Sequence, residues 1–246
     1  MSVDTTGATR RFRARLCAGG CGLRFPVDDG SPLGERCPLC GAPTQFVDEP
    51  YTSAEVPTPA QDRPTTHAQT ASAASVDLGA GAGGNTRRLG LLLDNVRSLR
   101  NVGGIFRTAD GVGVSLAVLA GITPTPAHPG FAKTALGAEL SVPWRRHADA
   151  IEAATQCLAE GWSLWALEGG ERAVDLFAAQ TRAAAHDRAV MLVLGHEVSG
   201  VDPRVLALCE RVVFIPMLGH KRSLNVSVAF GIAAYALRAG LGAHVE

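Results

Sequence analysis

The sequence predicts an α/β protein, a mostly parallel sheet flanked by helices, with a small cysteine-centred head in front of it. Three observations predict this. After residue 85, apolar runs of strand length alternate with helix-length patterns. Four cysteines crowd the start of the chain, and between the two regions lies a long stretch almost without large apolar residues.

The whole chain sets the bounds. With 246 residues and 46% hydrophobic content it can bury a sizeable core. Lys plus Arg, 23, balance Asp plus Glu, 23, so any nucleic-acid binding rests on a local basic patch. No apolar run reaches the ~18 residues of a membrane span, and Met1 to Arg15 has no hydrophobic centre of a secretory signal. A soluble, cytoplasmic protein with no membrane partner is the expectation.

The head is placed at residues 1–47. Cys17 and Cys21 are spaced Cys-x3-Cys, and Cys37 and Cys40 are spaced Cys-x2-Cys. Two such turns can each supply two thiolates to a tetrahedral zinc, with Gly22 and Gly41 allowing the tight backbone. Four thiolates leave no open coordination position, so the zinc would be structural. A head this small also has too little core to fold without a staple. Metal-free or disulfide-linked cysteines are the alternative. Arg10, Arg11, Arg13, Arg15 and Arg24 make the head either an RNA-docking module or a knob with a solvated basic tail. Cys157 and Cys209 stand alone and read as ordinary buried thiols.

Residues 48–84, dominated by Pro, Thr, Ala, Ser and Gly, cannot bury enough surface to offset ordering entropy and read as a flexible linker. The body, 85–246, holds five apolar runs of strand length: "RLGLLLDNV", "SLAVLAGI", "SLWALEGG", "AVMLVLGHE" and "RVVFIPML". In parallel sheets ligands bind beyond the carboxyl ends of the strands, where Asp94, Gly121, Glu168, Gly195 and Met217 fall. Trp144, Trp162 and Trp165 read as core or interface aromatics.

Unusual polar residues gather in three stretches. In "LLLDNVRSLRNVGGIFRTADGVGV", Asn95 and Asn101 lie in a loop, and Gly103 and Gly104 open a helix that carries Arg107. In "VMLVLGHEVSGVDPRVLALC", Gly195, Glu197 and Gly200 follow a strand, and Asp202-Pro203 starts a helix. In "RVVFIPMLGHKRSLNVSVAFGIAAYAL", Ser223 reads as the cap of a final helix with Asn225 in its first turn, or else both serve a site.

Together these stretches resemble the SpoU/TrmH family of the SPOUT superfamily, RNA 2′-O-ribose methyltransferases that use S-adenosylmethionine. "NVGGIFRTA", "LGHEVSG" and "IPMLGHKRSLNVSVA" each look like a family motif and occur in the family's order, and "KTALGAE" is similar to a segment of some members. The resemblance covers nearly all of the body and implies a trefoil-knotted α/β domain that works as a homodimer. It implies a cofactor lined by Leu167, Glu168, Leu194, Gly195, Ile215, Met217 and Leu224. Arg107 matches the family's catalytic arginine, and Asn101, Glu197, Ser223 and Asn225 match its other motif polar residues. His196 and His220 would only line the pocket. Lys221, Arg222, Arg97 and Arg100 would touch phosphate.

The expected reaction is methylation of a ribose 2′-hydroxyl in tRNA or rRNA, with RNA and no DNA as partner. The zinc-ribbon-like head departs from most members, many of which carry a different extension or none. A catalytically silent RNA-binding protein with the same fold is the alternative. A nucleotide-dependent oxidoreductase is disfavoured, because no Gly-x-Gly-x2-Gly follows a strand with a later acidic residue.

Overall fold

The computed structural model describes residues 10–52, 88–186 and 188–240. The head is a three-stranded antiparallel sheet of β1 (Arg11–Cys17), β2 (Arg24–Asp28) and β3 (Thr44–Thr52) in the order β2-β1-β3. Its small core holds Cys17, Leu23, Phe25 and Cys37, and Ile122 of the body packs against it. Strand β3 runs past the boundary expected at residue 47: Tyr51 pairs with Phe12 and Thr52 with Arg11. Residues 48–52 are therefore sheet rather than linker. The rest of the expected linker, 53–84, lies outside the described residues.

The body is built on β4 (Leu89–Asp94), β5 (Leu116–Ala120), β6 (Trp144–His147), β7 (Ser163–Leu167), β8 (Ala173–Asp175), β9 (Val190–Leu194) and β10 (Arg211–Phe214). These form a seven-stranded sheet in the order β6-β5-β4-β9-β7-β10-β8, and every pairing in it is parallel. The helices are α1 (Leu99–Gly111), α2 (Phe131–Ala135), α3 (Ala138–Ser141), α4 (Ala150–Ala159), α5 (Ala179–Ala185), α6 (Pro203–Leu208) and α7 (Val226–Gly240).

Both faces of the sheet are covered, which is why its strands read as unbroken apolar runs rather than alternating ones. Leu89, Leu91 and Leu93 point to one core with Phe106 of α1, Phe131 of α2 and Phe230 of α7; Leu92 points to the other, with Ala153 and Ala154 of α4 and Val205 of α6. Trp162 and Trp165 are buried and Trp144 packs against the first core, as expected of core aromatics. The five apolar runs are β4, β5, β7, β9 and β10. The two further strands, β6 and β8, are short sheet edges with partly exposed residues, which carry little apolar signal.

Two helix starts differ from the sequence reading. Ser98 caps α1 by accepting the Asn101 N–H at 3.4 Å, so the helix opens before Gly103 and Gly104. Gly103 then faces α2, where a Cβ would stand 2.7 Å from the Thr134 carbonyl carbon. Its smallness serves helix packing, not ligand approach. Helix α7 begins at Val226, capped by Asn225, whose Oδ1 accepts the Ser227 N–H at 2.9 Å, so Ser223 lies ahead of the helix. Asp202 and Pro203 do start α6 as read. Among the described residues, no helix is long and apolar enough to cross a membrane.

The two neighbouring glycines of α1 give a contrast that denaturant titration can check. Gly103→Ala is expected to lose about 1–3 kcal/mol through overpacking against Thr134. Gly104→Ala, whose Cβ would meet Ser227 no closer than 3.5 Å, is expected to be neutral or to gain up to ~1 kcal/mol of helix propensity.

Candidate active-site cleft and cysteine centre

The strand order reverses between β4, which leads outward to β5 and β6, and β9, which leads to β7, β10 and β8. At such a switch point the loops beyond the carboxyl ends diverge and leave a crevice. Here the crevice is a cleft of about 810 Å³. All seven residues expected at a cofactor, Leu167, Glu168, Leu194, Gly195, Ile215, Met217 and Leu224, line it, together with Asn101, Glu197, Ser223 and Asn225.

A hydrogen-bonded chain joins the three motif stretches. Asn225 Nδ2 donates to Asn101 Oδ1 at 3.0 Å, and Asn101 Nδ2 donates to Glu197 Oε1 at 3.0 Å. Glu197 also accepts the N–H of Arg97 at 3.1 Å and of Ser98 at 3.0 Å. One carboxylate thus ties the loop after β9 to the start of α1, and Asn101 carries the link to the cap of α7. The amide orientations follow from this network.

The loop after β9 is closed on itself. His196 N–H donates to Gly200 O at 3.1 Å and Gly200 N–H returns to His196 O at 2.9 Å. His196 Nδ1 accepts from Val198 N–H at 3.1 Å and Ser199 N–H at 3.2 Å, so the ring is an internal loop cap as well as a lining residue. Burial pushes it down to about 4, and it is neutral at physiological pH. Gly195 has no space for a side chain, because a Cβ would collide with the backbone of Gly200 and Val201. Gly200 itself takes a φ of +73°. Glu168 accepts the Val201 N–H at 3.0 Å, and burial raises its carboxyl above the usual range.

Arg97, Lys221 and Arg222 add positive charge to the lining. Arg107 is exposed on α1 and is not among the residues lining the cleft of its own chain. Asn95 serves its turn instead: at φ +59° its side chain donates to Asp94 at 2.8 Å and accepts the Ile122 N–H at 3.1 Å.

In the head, the Sγ atoms of Cys17, Cys21, Cys37 and Cys40 all lie within 4.8 Å of one another. Cys17 and Cys40 are 3.4 Å apart, and Cys21 is 3.6 Å from both Cys37 and Cys40. These spacings suit tetrahedral thiolates at ~2.3 Å from one ion and are far longer than a ~2.05 Å disulfide. Gly22 and Gly41 take φ of +68° and +74°, as the tight turns require. Cys157 and Cys209 are buried thiols, and burial pushes Cys209 up to about 12.

The head arginines are largely engaged within the protein. Arg10 pairs with Asp28 at 2.5 Å, and Arg11 and Arg13 face Asp29 at 3.9 and 3.5 Å. Arg15 stacks 3.9 Å over the Phe46 ring. Arg24 corrects the reading of a basic surface: it is 5% exposed and pairs with Asp202 of the body. Sequence reasoning missed this partnership, and no local signal marks it, since 178 residues separate the two.

Residues 88–235 match the SpoU rRNA Methylase family. The chain belongs to this family. It is 35% identical over 158 residues to the tRNA (guanosine(18)-2′-O)-methyltransferase of Thermus thermophilus, covering 62% of this chain and 78% of that protein. It is 30% identical over 146 residues to the 23S rRNA (guanosine-2′-O-)-methyltransferase RlmB of Haemophilus ducreyi, spanning 59% of this chain and 57% of that one. Among solved structures, the SpoU methyltransferase AviRb from Streptomyces viridochromogenes, in complex with the cofactor AdoMet, superposes with a TM-score of 0.56 at 25% identity, over 63% of this chain and 60% of that one. The fold of this SpoU-family chain is thus the SPOUT-type α/β sheet that its motifs imply.

His196 makes this loop pH-sensitive. Because its folded value, about 4, lies below the ordinary 6.5, the unfolded chain takes up the proton first as pH falls. The contribution is complete above about pH 6.5 and is lost on acidification toward pH 4, about 1–2 kcal/mol being gone by pH 5. His196→Asn, which keeps an acceptor for the loop and does not titrate, is expected to flatten the dependence of melting temperature on pH between about 5 and 7.

Proposed function

We propose that this protein transfers the methyl group of S-adenosylmethionine to a ribose 2′-hydroxyl of tRNA or rRNA. The observation that carries the reading is the chain Asn225–Asn101–Glu197, which brings three motifs far apart in sequence to the wall of one cleft. The named activities of the family relatives and the AdoMet in AviRb support it.

The cofactor supplies an electrophilic methyl on a sulfonium. Leu167, Leu194, Ile215, Met217 and Leu224 would cover its apolar groups, while loop backbone at Gly195 and Glu168 holds its polar ends. Asn101, Ser223 and Asn225 would orient the ribose for in-line attack, with Glu197 fixing Asn101. Arg97, Arg100, Lys221 and Arg222 would hold phosphates. Arg107, through its guanidinium charge, would stabilise the negative charge that develops on the 2′-oxygen as that oxygen's proton leaves for solvent.

Because Arg107 lies outside its own chain's cleft, the reading includes a homodimer in which a second copy covers this side of α1 and α7. Val228 and Tyr235 of α7, 50% and 57% exposed, offer it apolar contact. The carboxyl-terminal segment would be threaded as the family's trefoil knot, and the reaction placed in the cytoplasm. In the head, Cys17, Cys21, Cys37 and Cys40 would hold a structural zinc. The chain would then comprise a zinc-ribbon-like head, a linker and a methyltransferase domain.

The test is transfer of labelled methyl from S-adenosylmethionine to unmodified tRNA and rRNA pools, followed by nucleoside analysis. A 2′-O-methyl nucleoside is expected; cofactor binding without transfer to either pool would favour a silent RNA-binding protein. Arg107→Ala is expected to keep cofactor affinity within about two-fold while turnover falls by at least about 100-fold. Metal analysis of the purified chain is expected to find about one zinc per chain.

A further inference from the structure

Outside the cleft, one cluster of charged side chains is buried where head and body meet. Arg24 of β2 donates through Nη1 to Asp202 and through Nη2 to Asp48 at 2.6 Å. Asp48 also accepts from Arg204 at 3.1 Å. Asp202 is 6% exposed, caps α6 by accepting the Arg204 N–H at 2.9 Å, and donates its own N–H to Asp94 Oδ2 at 2.8 Å. Asp94, at the end of β4, is pushed up to about 7 by burial and then by the charge of Asp202. A buried carboxylate such as that of Asp202 is costly unless a cation is bonded to it. Arg24, reaching over from the head, is that cation.

The cluster is continuous with the cleft on one side. Asp202 follows Val201, whose N–H holds the cleft residue Glu168 at 3.0 Å. Gly195, another cleft residue, packs directly against the backbone of Gly200 and Val201. On its other side the cluster is continuous with the cysteine centre. Arg24 lies three residues after Cys21, the Leu23 carbonyl accepts the Cys17 N–H at 2.9 Å, and Arg24 N–H donates to Ala148 O of the body at 3.2 Å. Asp202 is thus held between the head's cysteine turn and the loop that forms the cofactor side of the cleft.

We propose that Arg24 is a positioning residue for the cofactor side of the cleft, and that metal on Cys17, Cys21, Cys37 and Cys40 is needed to hold it in place. Removing Arg24 leaves Asp202 a buried carboxylate without its cation. Asp202 then moves toward solvent and draws Val201 away from Glu168 and Gly195. Loss of metal frees the turn that carries Arg24 and has the same consequence. The inference rests on the cleft being the S-adenosylmethionine site.

The experiment is calorimetric titration of S-adenosylmethionine into the full-length protein, wild type, Arg24→Met, Arg24→Lys, Asp202→Asn and the Arg24→Met/Asp202→Asn pair, each with and without prior chelation, with zinc content measured in parallel. Arg24→Met is expected to retain its zinc and bind the cofactor about ten-fold more weakly, with turnover at saturating cofactor within about two-fold of wild type. Arg24→Lys is expected to recover part of the affinity, and Arg24→Met to cost less when Asp202 is already Asn. Chelated wild type is expected to match Arg24→Met, and chelation to add nothing further to that variant. If Arg24→Met sheds its zinc, the milder Arg24→Lys and the Asp202→Asn background carry the comparison.

Wild-type binding with unchanged affinity in Arg24→Met or after complete chelation overturns the inference alone. Absence of cofactor binding by the wild type overturns the functional reading, and this inference with it.

Discussion

The carboxylate of Glu197 is the point on which the site depends. It accepts two backbone N–H groups from the turn before α1 and one side-chain N–H from Asn101. Hydrogen bonds to a charged acceptor contribute about 1.5–3 kcal/mol each, and a donor left without its partner costs a similar amount. With Glu197 in place, Asn101 has only one useful orientation: its amide nitrogen faces the carboxylate and its oxygen faces Asn225. Asn225, so oriented, presents its own oxygen to Ser227 and starts α7. A single charge therefore sets the relative position of the loop after β9, the first turn of α1 and the entry to the last helix.

This arrangement is possible because the sheet is wholly parallel. Parallel strands send their outgoing loops to the same end of the sheet, the crossover helices returning the chain to the other end, so segments remote in sequence meet there. The reversal between β4 and β9 opens the cleft at that end, and helices on both faces keep water from the strands. The loops then differ in how they are held. The turn after β9 is closed by its own backbone and by His196, whereas the entry to α7 is held from outside by Asn101.

The head is joined to this scaffold by electrostatics in a place without much water. A buried ion pair adds little net stability relative to apolar packing, but removing one member leaves an uncompensated charge and costs several kcal/mol. That asymmetry favours specificity of placement: the head's Arg24 fits where Asp202 and Asp48 converge. Ile122 of the body completes the head's own small core, so the two parts share apolar surface as well as charge. The cysteine turns do more than close the head, because they set the backbone from which Arg24 projects.

Much of the fold and of the site could be read from the chain. The apolar runs of β4, β5, β7, β9 and β10 were legible because strands buried on both faces have no polar positions to interrupt them. The cysteine turns were legible from spacing and glycine, and the residues that line the cleft from the motifs by which the sequence resembles its family. The edge strands β6 and β8 were not, since partly exposed strands lack that apolar signature. The start of α1 was misplaced because Gly103 carries no mark of whether it admits a ligand or a neighbouring helix. The exposure of Arg107, the cap made by Asn225 rather than Ser223, and the burial of Arg24 were decided by tertiary structure. Local sequence determines which groups can bond and the period at which they recur. Which of them meet depends on contacts such as Arg24 with Asp202, whose partners are brought together only when the sheet, the helices and the head have packed.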